Sequence, residues 1–506
     1  MEYVFHPWIN QGTMEKREYQ EHIAKRALDG NMLCVLPTGI GKTPIAVLVA
    51  VERMAQKNGK VLMMAPTRPL VNQHRKTFEH FLKIGPEYAV VTGLVMPEKR
   101  KELYEKNDVI FSTPQTIRND LKSGLLSLDD FALLVVDEAH RAVRKYSYTF
   151  VAKKYMEQSR HPLILALTAS PGGVRYRIDE ICEKLSIENV EIRTRDDEDV
   201  RPYVQDVEHD FVKVMLPENI SEIRAHLEMA KDEKIQKLMT WGFIHTPIIN
   251  KSQIIGLQAE LAKKKSGSSF MAMSFLAEIL KIDHALVLLE TQCIYALKKY
   301  LEKLQQDAQA GKTKAVVRLV KDGNFRLAAE LTEKLYNEGK EHPKIERLKE
   351  IVEKELSADA RIMIFAQFRD TISKIREVLS EIPECRRVEF IGQAKKAGKG
   401  LSQAEQIGIL NDFKLGTYNV LVASQIGEEG LSIEETDSVI FYEGVPSAIR
   451  KIQRAGRVAR TRPGKIIILL TKGTRDEAYY WTGYHKERKM KKILEGMQNK
   501  TLKGFG

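Results

Sequence analysis

Two stretches of the chain carry residue types at spacings that suit phosphate chemistry. The first is L-P-T-G-I-G-K-T (36–43), set between an apolar run and the helical pattern I-A-V-L-V-A-V. A turn built on Gly39 and Gly41 lets successive backbone N–H groups point at phosphate oxygens. The helix that follows adds the partial positive charge of its N-terminus. Lys42 would reach the terminal phosphates of ATP, and Thr43 would hold Mg²⁺. The strict pattern opens with glycine where this chain has Leu36, but its crowded end, Gly41-Lys42-Thr43, is intact. Pro44 is tolerated in a first helical turn, where N–H groups have no intrahelical partner.

The second stretch is L-L-V-V-D-E-A-H (133–140), in which a buried apolar strand delivers carboxylates to its C-terminal end, the edge where α/β folds bind ligands. Asp137 would take Mg²⁺, directly or through water. Glu138 would polarise an attacking water, and His140 would link the nucleotide to another part of the chain. An acidic strand end by itself can be ordinary; beside the glycine loop it specifies an NTPase. Far downstream, Q-R-A-G-R-V-A-R (453–460) gathers positive charge with no carboxylate among it, as if to meet an anion.

These residues need scaffolds. C-V-L-P (34–37), V-L-M-M-A-P (61–66), V-I-F-S-T (109–113), A-L-L-V-V-D (132–137) and L-I-L-A-L-T (163–168) read as buried strands separated by amphipathic stretches. That alternation predicts a parallel sheet covered by helices on both faces. A second set follows late: R-I-M-I-F-A (361–366), R-V-E-F-I-G (387–392), N-V-L-V-A-S (419–424), S-V-I-F-Y (438–442) and K-I-I-I-L-L (465–470). Between them F-L-A-E-I-L-K-I-D-H-A-L-V-L-L-E (275–290) puts apolar residues at helical spacing, and few strand-like runs occur. The expected organisation is an α/β unit at 1–203, a mostly helical insert at 204–345 and a second α/β unit at 346–506.

Of 506 residues, 29% are charged and 43% hydrophobic, which suits core-forming domains rather than disorder. Lysine and arginine exceed the acids by 12, a weak pointer to a polyanionic partner. Cys34, Cys182, Cys293 and Cys385 lie far apart with no C-x-x-C pair, so buried free thiols are expected rather than a zinc or iron–sulfur site. M-E-Y-V-F-H-P-W has no basic segment leading an apolar core, and no apolar run approaches a bilayer span. The expected location is cytoplasmic, at the nucleoid.

The order of further motifs resembles superfamily 2 helicases and translocases over nearly the whole chain. R-E-Y-Q (17–20) looks like the family's adenine-reading element, which implies that Arg17 and Gln20 serve the base. A-P-T-R-P-L-V (65–71) and S-T-P-Q-T (112–116) look like segments gripping a nucleic-acid backbone, which implies roles for Thr67, Arg68, Thr113 and Gln115. T-A-S-P (168–171) resembles the motif coupling ATP to strand, with Thr168 and Ser170. Q-R-A-G-R-V-A-R matches the family's motif VI. The resemblance implies two RecA-like domains, the second closing onto ATP held by the first. Arg457 and Arg460 would then meet the γ-phosphate, oriented by Gln453, while Thr38 and Gly430 complete the nucleotide set.

D-V-R-P-Y-V (199–204), V-P-S-A-I-R (445–450) and K-G-T-R-D-E-A-Y-Y-W (472–481) are similar to the archaeal Hef family and its eukaryotic relatives, the Fanconi-anaemia M-type translocases. The resemblance implies an ATP-dependent DNA helicase or branch-migration translocase at forks and junctions, whose insert grips DNA through lysines such as Lys298, Lys299, Lys312 and Lys314. Repair or replication proteins would be its partners. Hef proteins often carry an XPF-type nuclease. E-R-K (487–489) mimics part of its signature, but Ile493 stands where an Asp belongs, so the segment reads as an amphipathic tail. In motif V, Ser432 replaces the usual Asp, which bears on coupling rather than on ATP binding. The competing class is a double-stranded-RNA-activated ATPase of the RIG-like group, which shares the insert layout. A scaffold with a decayed ATPase is opposed by intact Lys42, Asp137, Glu138, Arg457 and Arg460.

Overall fold

The computed structural model describes residues 2–83, 85–264, 266–357, 360–392, 400–424, 436–444 and 464–497. The first unit is a seven-stranded, wholly parallel sheet in the order β3-β4-β2-β5-β6-β1-β7. Its strands are β1 (Met32–Val35), β2 (Lys60–Met64), β3 (Tyr88–Val91), β4 (Val109–Ser112), β5 (Phe131–Val136), β6 (Ile164–Thr168) and β7 (Asn189–Ile192). Its helices are α1 (Glu18–Ala27), α2 (Lys42–Lys57), α3 (Arg68–Phe81), α4 (Pro97–Lys106), α5 (Pro114–Lys122), α6 (Ser147–Gln158) and α7 (Arg175–Lys184).

Successive strand residues face opposite sides of a sheet, and here both sides are dry. Cys34, Met63, Phe111, Val135 and Leu167 pack with α1, α2 and α3 on one face. Val35, Leu62, Ile110, Leu134 and Ala166 pack with α6 and α7 on the other. Burial on both faces explains the unbroken apolar runs.

The chain then enters the second sheet before it builds the insert. Strand β8 (Val207–Val214) pairs in parallel with β13 (Gly464–Thr471) over its full length. It closes the order β10-β11-β9-β12-β13-β8, with β9 (Ile362–Phe365), β10 (Arg387–Phe390), β11 (Val420–Ala423) and β12 (Ser438–Phe441). The division expected at 204 therefore gives way to a helical part that opens after β8. An edge strand with Glu208, His209 and Lys213 exposed has no apolar run to announce it.

The insert comprises α8 (Glu218–Thr240), α9 (Lys251–Lys264), α10 (Gly267–Thr291), α11 (Ile294–Gln309), α12 (Lys314–Val320) and α13 (Gly323–Asn337). Ile223, Leu227, Ile282, Leu289 and Leu297 of these helices share one continuous core with Ile364, Val422, Ile440 and Leu469 of the second sheet. Insert and second sheet are thus one packed body. Helices α14 (Pro343–Glu355), α15 (Arg369–Val378) and α16 (Gln403–Lys414) complete the second unit. Lys344 and Asp476 pair beneath it with neither side chain exposed. Lys344 also donates to the carbonyls of Thr291 (3.1 Å) and Tyr442 (2.9 Å). Asp476 accepts from the N–H groups of Gly444 (2.7 Å) and Thr471 (2.9 Å). A buried charge pair satisfied on all sides fixes one arrangement of the parts that supply it.

The last helix, α17 (Arg475–Glu495), joins the two units. Its first turns pack Tyr480 into the second sheet's core. Its end sends Met490 and Leu494, followed by Met497, into the core of the first. Ile493 packs against that same core, so the position where a nuclease would carry Asp serves as an apolar anchor. All four cysteines are free and buried, as expected. No helix among the described residues is long and apolar enough to cross a membrane.

Candidate active site

The phosphate loop runs from the end of β1 to α2. Gly39 (φ +88°) and Gly41 (φ +87°) adopt left-handed backbone, where a side chain is strained. A Cβ on Gly41 would also run into the amide of Gln20. That amide, buried, donates to the carbonyls of Ile40 (3.4 Å) and Gly41 (3.3 Å), and the Tyr19 hydroxyl donates to Ile40 as well. Gln20 thus braces the loop's outward carbonyls, which leaves its N–H groups for an anion. Lys42 Nζ donates to the Leu36 carbonyl at 3.4 Å, folded back across the loop. Arg17 pairs with Glu15 at 2.8 Å and lies over the Tyr203 ring at 5.3 Å. Thr38 lines a cavity of about 370 Å³ that also touches Ala169, Ile466 and Met490.

Strand β5 carries Asp137 to the same edge. Its N–H donates to Met64 (2.9 Å), and its own carbonyl accepts the Tyr148 hydroxyl (2.7 Å). Asp137 Oδ2 lies 2.8 Å from His74 Nε2, and the other ring nitrogen of His74 lies 3.3 Å from Thr43 Oγ1. One buried imidazole therefore bridges the two residues expected to hold Mg²⁺. Burial pushes the Asp137 carboxyl up, but the charge and hydrogen bond of His74, with Lys42 behind them, outweigh it and hold the group below the usual carboxylate range. Sequence reasoning missed His74. It lies on α3, in line with neither the glycine loop nor the acidic strand end, and only tertiary packing brings it between them.

Glu138 sits in left-handed backbone (φ +50°), costly for a residue with a Cβ and a mark of a site under constraint. Its Oε2 is buried without a hydrogen-bond partner among the described residues, though His140 Nδ1 lies 3.2 Å away. This unmet acceptor fits a water or a metal-bound ligand. Hydroxyl and carboxylate oxygens at Thr43 and Asp137 are the hard donors that Mg²⁺ takes beside phosphate. The residues present therefore fit both ATP and Mg²⁺.

From Glu138 a run of contacts leaves the site. His140 Nδ1 lies 3.4 Å from Thr168 Oγ1, which accepts the Ser170 N–H at 3.2 Å. Ser170 Oγ donates to Met490 Sδ of α17 at 3.0 Å. Gly173, just beyond, lies so close to α17 that a Cβ there would meet Lys486 Cβ at 3.0 Å. Thr168 and Ser170 thus stand between the nucleotide edge and the helix that reaches the second unit.

Thr67 and Thr113 are the N-caps of α3 and α5, which start directly after β2 and β4. Arg68 and Gln115 follow them, so all four residues line the carboxyl edge of the sheet beside two helix N-termini, which favour phosphate. Thr67 Oγ1 is buried without a hydrogen-bond partner among the described residues, whereas Thr113 Oγ1 lies 2.9 Å from Thr116 Oγ1. In the insert, Lys298 pairs with Glu302 (2.8 Å) and Glu333 (3.1 Å) and lies over Tyr336. Lys299 pairs with Glu302 (3.2 Å), and Lys312 with Asp307 (2.5 Å). Lys314 is exposed, with no ion pair among the described residues. Gly430, Ser432, Gln453, Arg457 and Arg460 lie outside the described residues.

Family models described as DEAD/DEAH box helicase, putative ATP-dependent RNA helicase helical bundle, and helicase conserved C-terminal domain match residues 17–177, 219–339 and 343–462. The chain is 42% identical to the Hef helicase domain of Pyrococcus furiosus, known from a crystal structure, with a TM-score of 0.70 over 92% of this chain and 98% of that one. It is 41% identical over 499 residues to a putative ATP-dependent RNA helicase of Methanocaldococcus jannaschii, covering 98% of this chain and 63% of that protein. It is 33% identical over 519 residues to the ATP-dependent DNA helicase fml1 of Schizosaccharomyces pombe, covering 99% and 61%. The chain spans less than two thirds of the length of these two curated relatives.

Proposed function

The chain belongs to the superfamily 2 helicases, in the family of the Hef helicase domain, and from that premise we propose that it is an ATP-driven DNA helicase or translocase acting on forked and branched DNA. The observation that carries the reading is the run of contacts from Glu138 through His140, Thr168 and Ser170 to Met490. It ties the nucleotide edge to the helix shared with the second unit.

ATP binds with its phosphates in the N–H nest of residues 38–43, and Lys42 leaves the Leu36 carbonyl to meet them. Thr43 and Asp137 would hold Mg²⁺, which would supply positive charge against the phosphate oxygens. Glu138 orients the attacking water through its carboxylate. Arg457 and Arg460 stabilise the charge that develops on the transferred group, a contact that Gln453 serves to orient. Thr67, Arg68, Thr113 and Gln115 grip one strand along the sheet edge, and Lys314 adds a phosphate contact from the insert. Hydrolysis alternates the separation of the two units, and the strand advances.

The test is ATP hydrolysis at matched salt with no nucleic acid, single-stranded DNA, duplex DNA, forked DNA, a four-way junction and double-stranded RNA. Strongest stimulation by forks or junctions is expected. The archaeal relative and the helical-bundle family are described in terms of RNA, so stimulation by double-stranded RNA alone would replace this reading with an RNA-activated ATPase. Equal rates throughout would overturn both.

A further inference from the structure

Helices α5 and α6 lie side by side on the first unit, and with α7 they frame a groove of about 730 Å³. Six cations line it: Arg118, Lys122, Arg144, Lys145, Lys153 and Lys184. Its two acids are already engaged. Glu157 pairs with Lys154 (2.7 Å) and Lys153 (3.9 Å), and Glu183 pairs with Lys184 (2.5 Å). Arg118, Lys122, Arg144 and Lys145 have no ion pair among the described residues, and Arg118 Nε is buried without a hydrogen-bond partner there. Such a concentration of uncompensated charge repels itself and is relieved by an anion.

The placement says which anion. Gln115, Arg118 and Lys122 fall at i, i+3 and i+7 of α5 and so share one face over about 10 Å of helix. Gln115 is the strand-gripping residue at the carboxyl edge, and its amide reaches the Tyr146 hydroxyl, next to Lys145, at 3.4 Å. The cations therefore form a track that begins where the strand contacts end. They are spread over two helices and a loop rather than converging on one point, which suits a polyanion rather than a single phosphate. Single strands are held largely by stacking bases on aromatic faces, but Phe150, in this groove, has the Lys122 ammonium over its ring at 5.4 Å. What is left to recognise is a sugar–phosphate backbone whose bases are turned away.

We propose that this groove binds the phosphate backbone of a duplex DNA arm flanking the strand held by the first unit. The inference rests on the DNA reading above. The test uses the full chain and R118A/K122A/R144A/K145A, with anisotropy titrations of single-stranded DNA, forked DNA and double-stranded RNA between 50 and 200 mM salt. Neutralising one duplex phosphate contributes about 0.9 to the slope of log affinity against log salt. The variant should bind forks at least about tenfold more weakly at the low-salt end, with a slope shallower by up to about 3.6. Single-strand affinity should change less than about twofold, and binding of an ATP analogue should not change. Equal losses on fork and single strand, or an unchanged slope, overturn the groove while leaving the DNA reading standing. A wild type that binds no DNA overturns both, and a loss confined to double-stranded RNA overturns the DNA assignment. Should the fourfold variant melt early, R144E/K145E, confined to an exposed loop, answers the same question.

Discussion

Ser170 and Met490 are 320 positions apart, yet the serine hydroxyl donates to the methionine sulfur across 3.0 Å in a fully buried contact. The serine belongs to the segment that follows β6 in the first unit. The methionine belongs to a helix that starts in the second. Met490→Leu keeps the apolar volume and removes the acceptor, so stability should fall by less than about 1.5 kcal/mol. Binding of an ATP analogue should be retained, while the increment in hydrolysis produced by DNA should shrink severalfold. Unchanged stimulation, with basal turnover measured alongside, would remove Ser170–Met490 from the coupling route.

Lys42→Ala should abolish ATP turnover and spare DNA binding, because the lysine lies in the phosphate loop, folded back onto the Leu36 carbonyl. Arg457→Ala should keep ATP binding and lower kcat by about 10³–10⁵, the range for charge-stabilising arginines in related phosphoryl transfer. Filter binding and steady-state kinetics on both variants separate the two roles. Near-normal turnover in Arg457→Ala would end the proposal that it meets the γ-phosphate.

His74 orients Asp137 and touches Thr43, so it is a positioning residue rather than a catalytic one. His74→Leu should raise the Mg²⁺ concentration needed for half-maximal binding of a fluorescent ATP analogue by about 10–100-fold, the usual cost of losing a partner of a metal ligand. His74→Gln keeps a donor of similar reach and should recover most of the affinity. The same Mg²⁺ dependence in wild type and His74→Leu would show that the imidazole is packing only.

His342 caps α14, its Nδ1 accepting the Lys344 N–H at 3.2 Å. Burial, with the charge of Lys344 adding to it, holds the imidazole well below its ordinary range. The unfolded chain takes up a proton near pH 6.5 and the folded chain does not. Below that pH the unfolded state therefore binds more protons, and stability falls with falling pH by up to about 1.4 kcal/mol per unit from this residue. His342→Asn, a good cap without the titration, should flatten the dependence of Tm on pH between 7 and 5. Parallel curves for the two proteins would show that another group governs acid lability.

Most strands readable in the sequence have both sheet faces buried, although β10, an edge strand half-buried at Arg387, Val388 and Glu389, was readable as well. β1, β2, β4, β5 and β6 coincide with apolar runs, as do β9 to β13. β7 was hidden by Glu191, buried at 1% exposure and paired with Arg26 and Arg193 in the middle of what should look apolar. β8 was hidden by its exposed polar side. The loop and the acidic strand end were legible because their chemistry is local in the chain. His74 and Met490 were not, because their positions follow from packing between α3 and β5 and between α17 and the first sheet. The family resemblance made lysines of the insert candidate phosphate contacts, but a sequence does not reveal that Glu302, Glu333 and Asp307 stand within reach of three of them.

The common core of insert and second sheet has a mechanical consequence. Helix α8 alone has 23 residues, about 35 Å of rigid rod, rooted by Ile223 and Leu227 in the second unit. A rod anchored in this way is a lever arm. If the second unit turns by about ten degrees, the far end of that rod travels about 6 Å, close to the 5.4 Å pitch of a single helical turn. Under such a turn a small displacement at the carboxyl edge of the sheets would be geared up into a larger one at the tip of the insert, with the length of α8 setting the gear ratio.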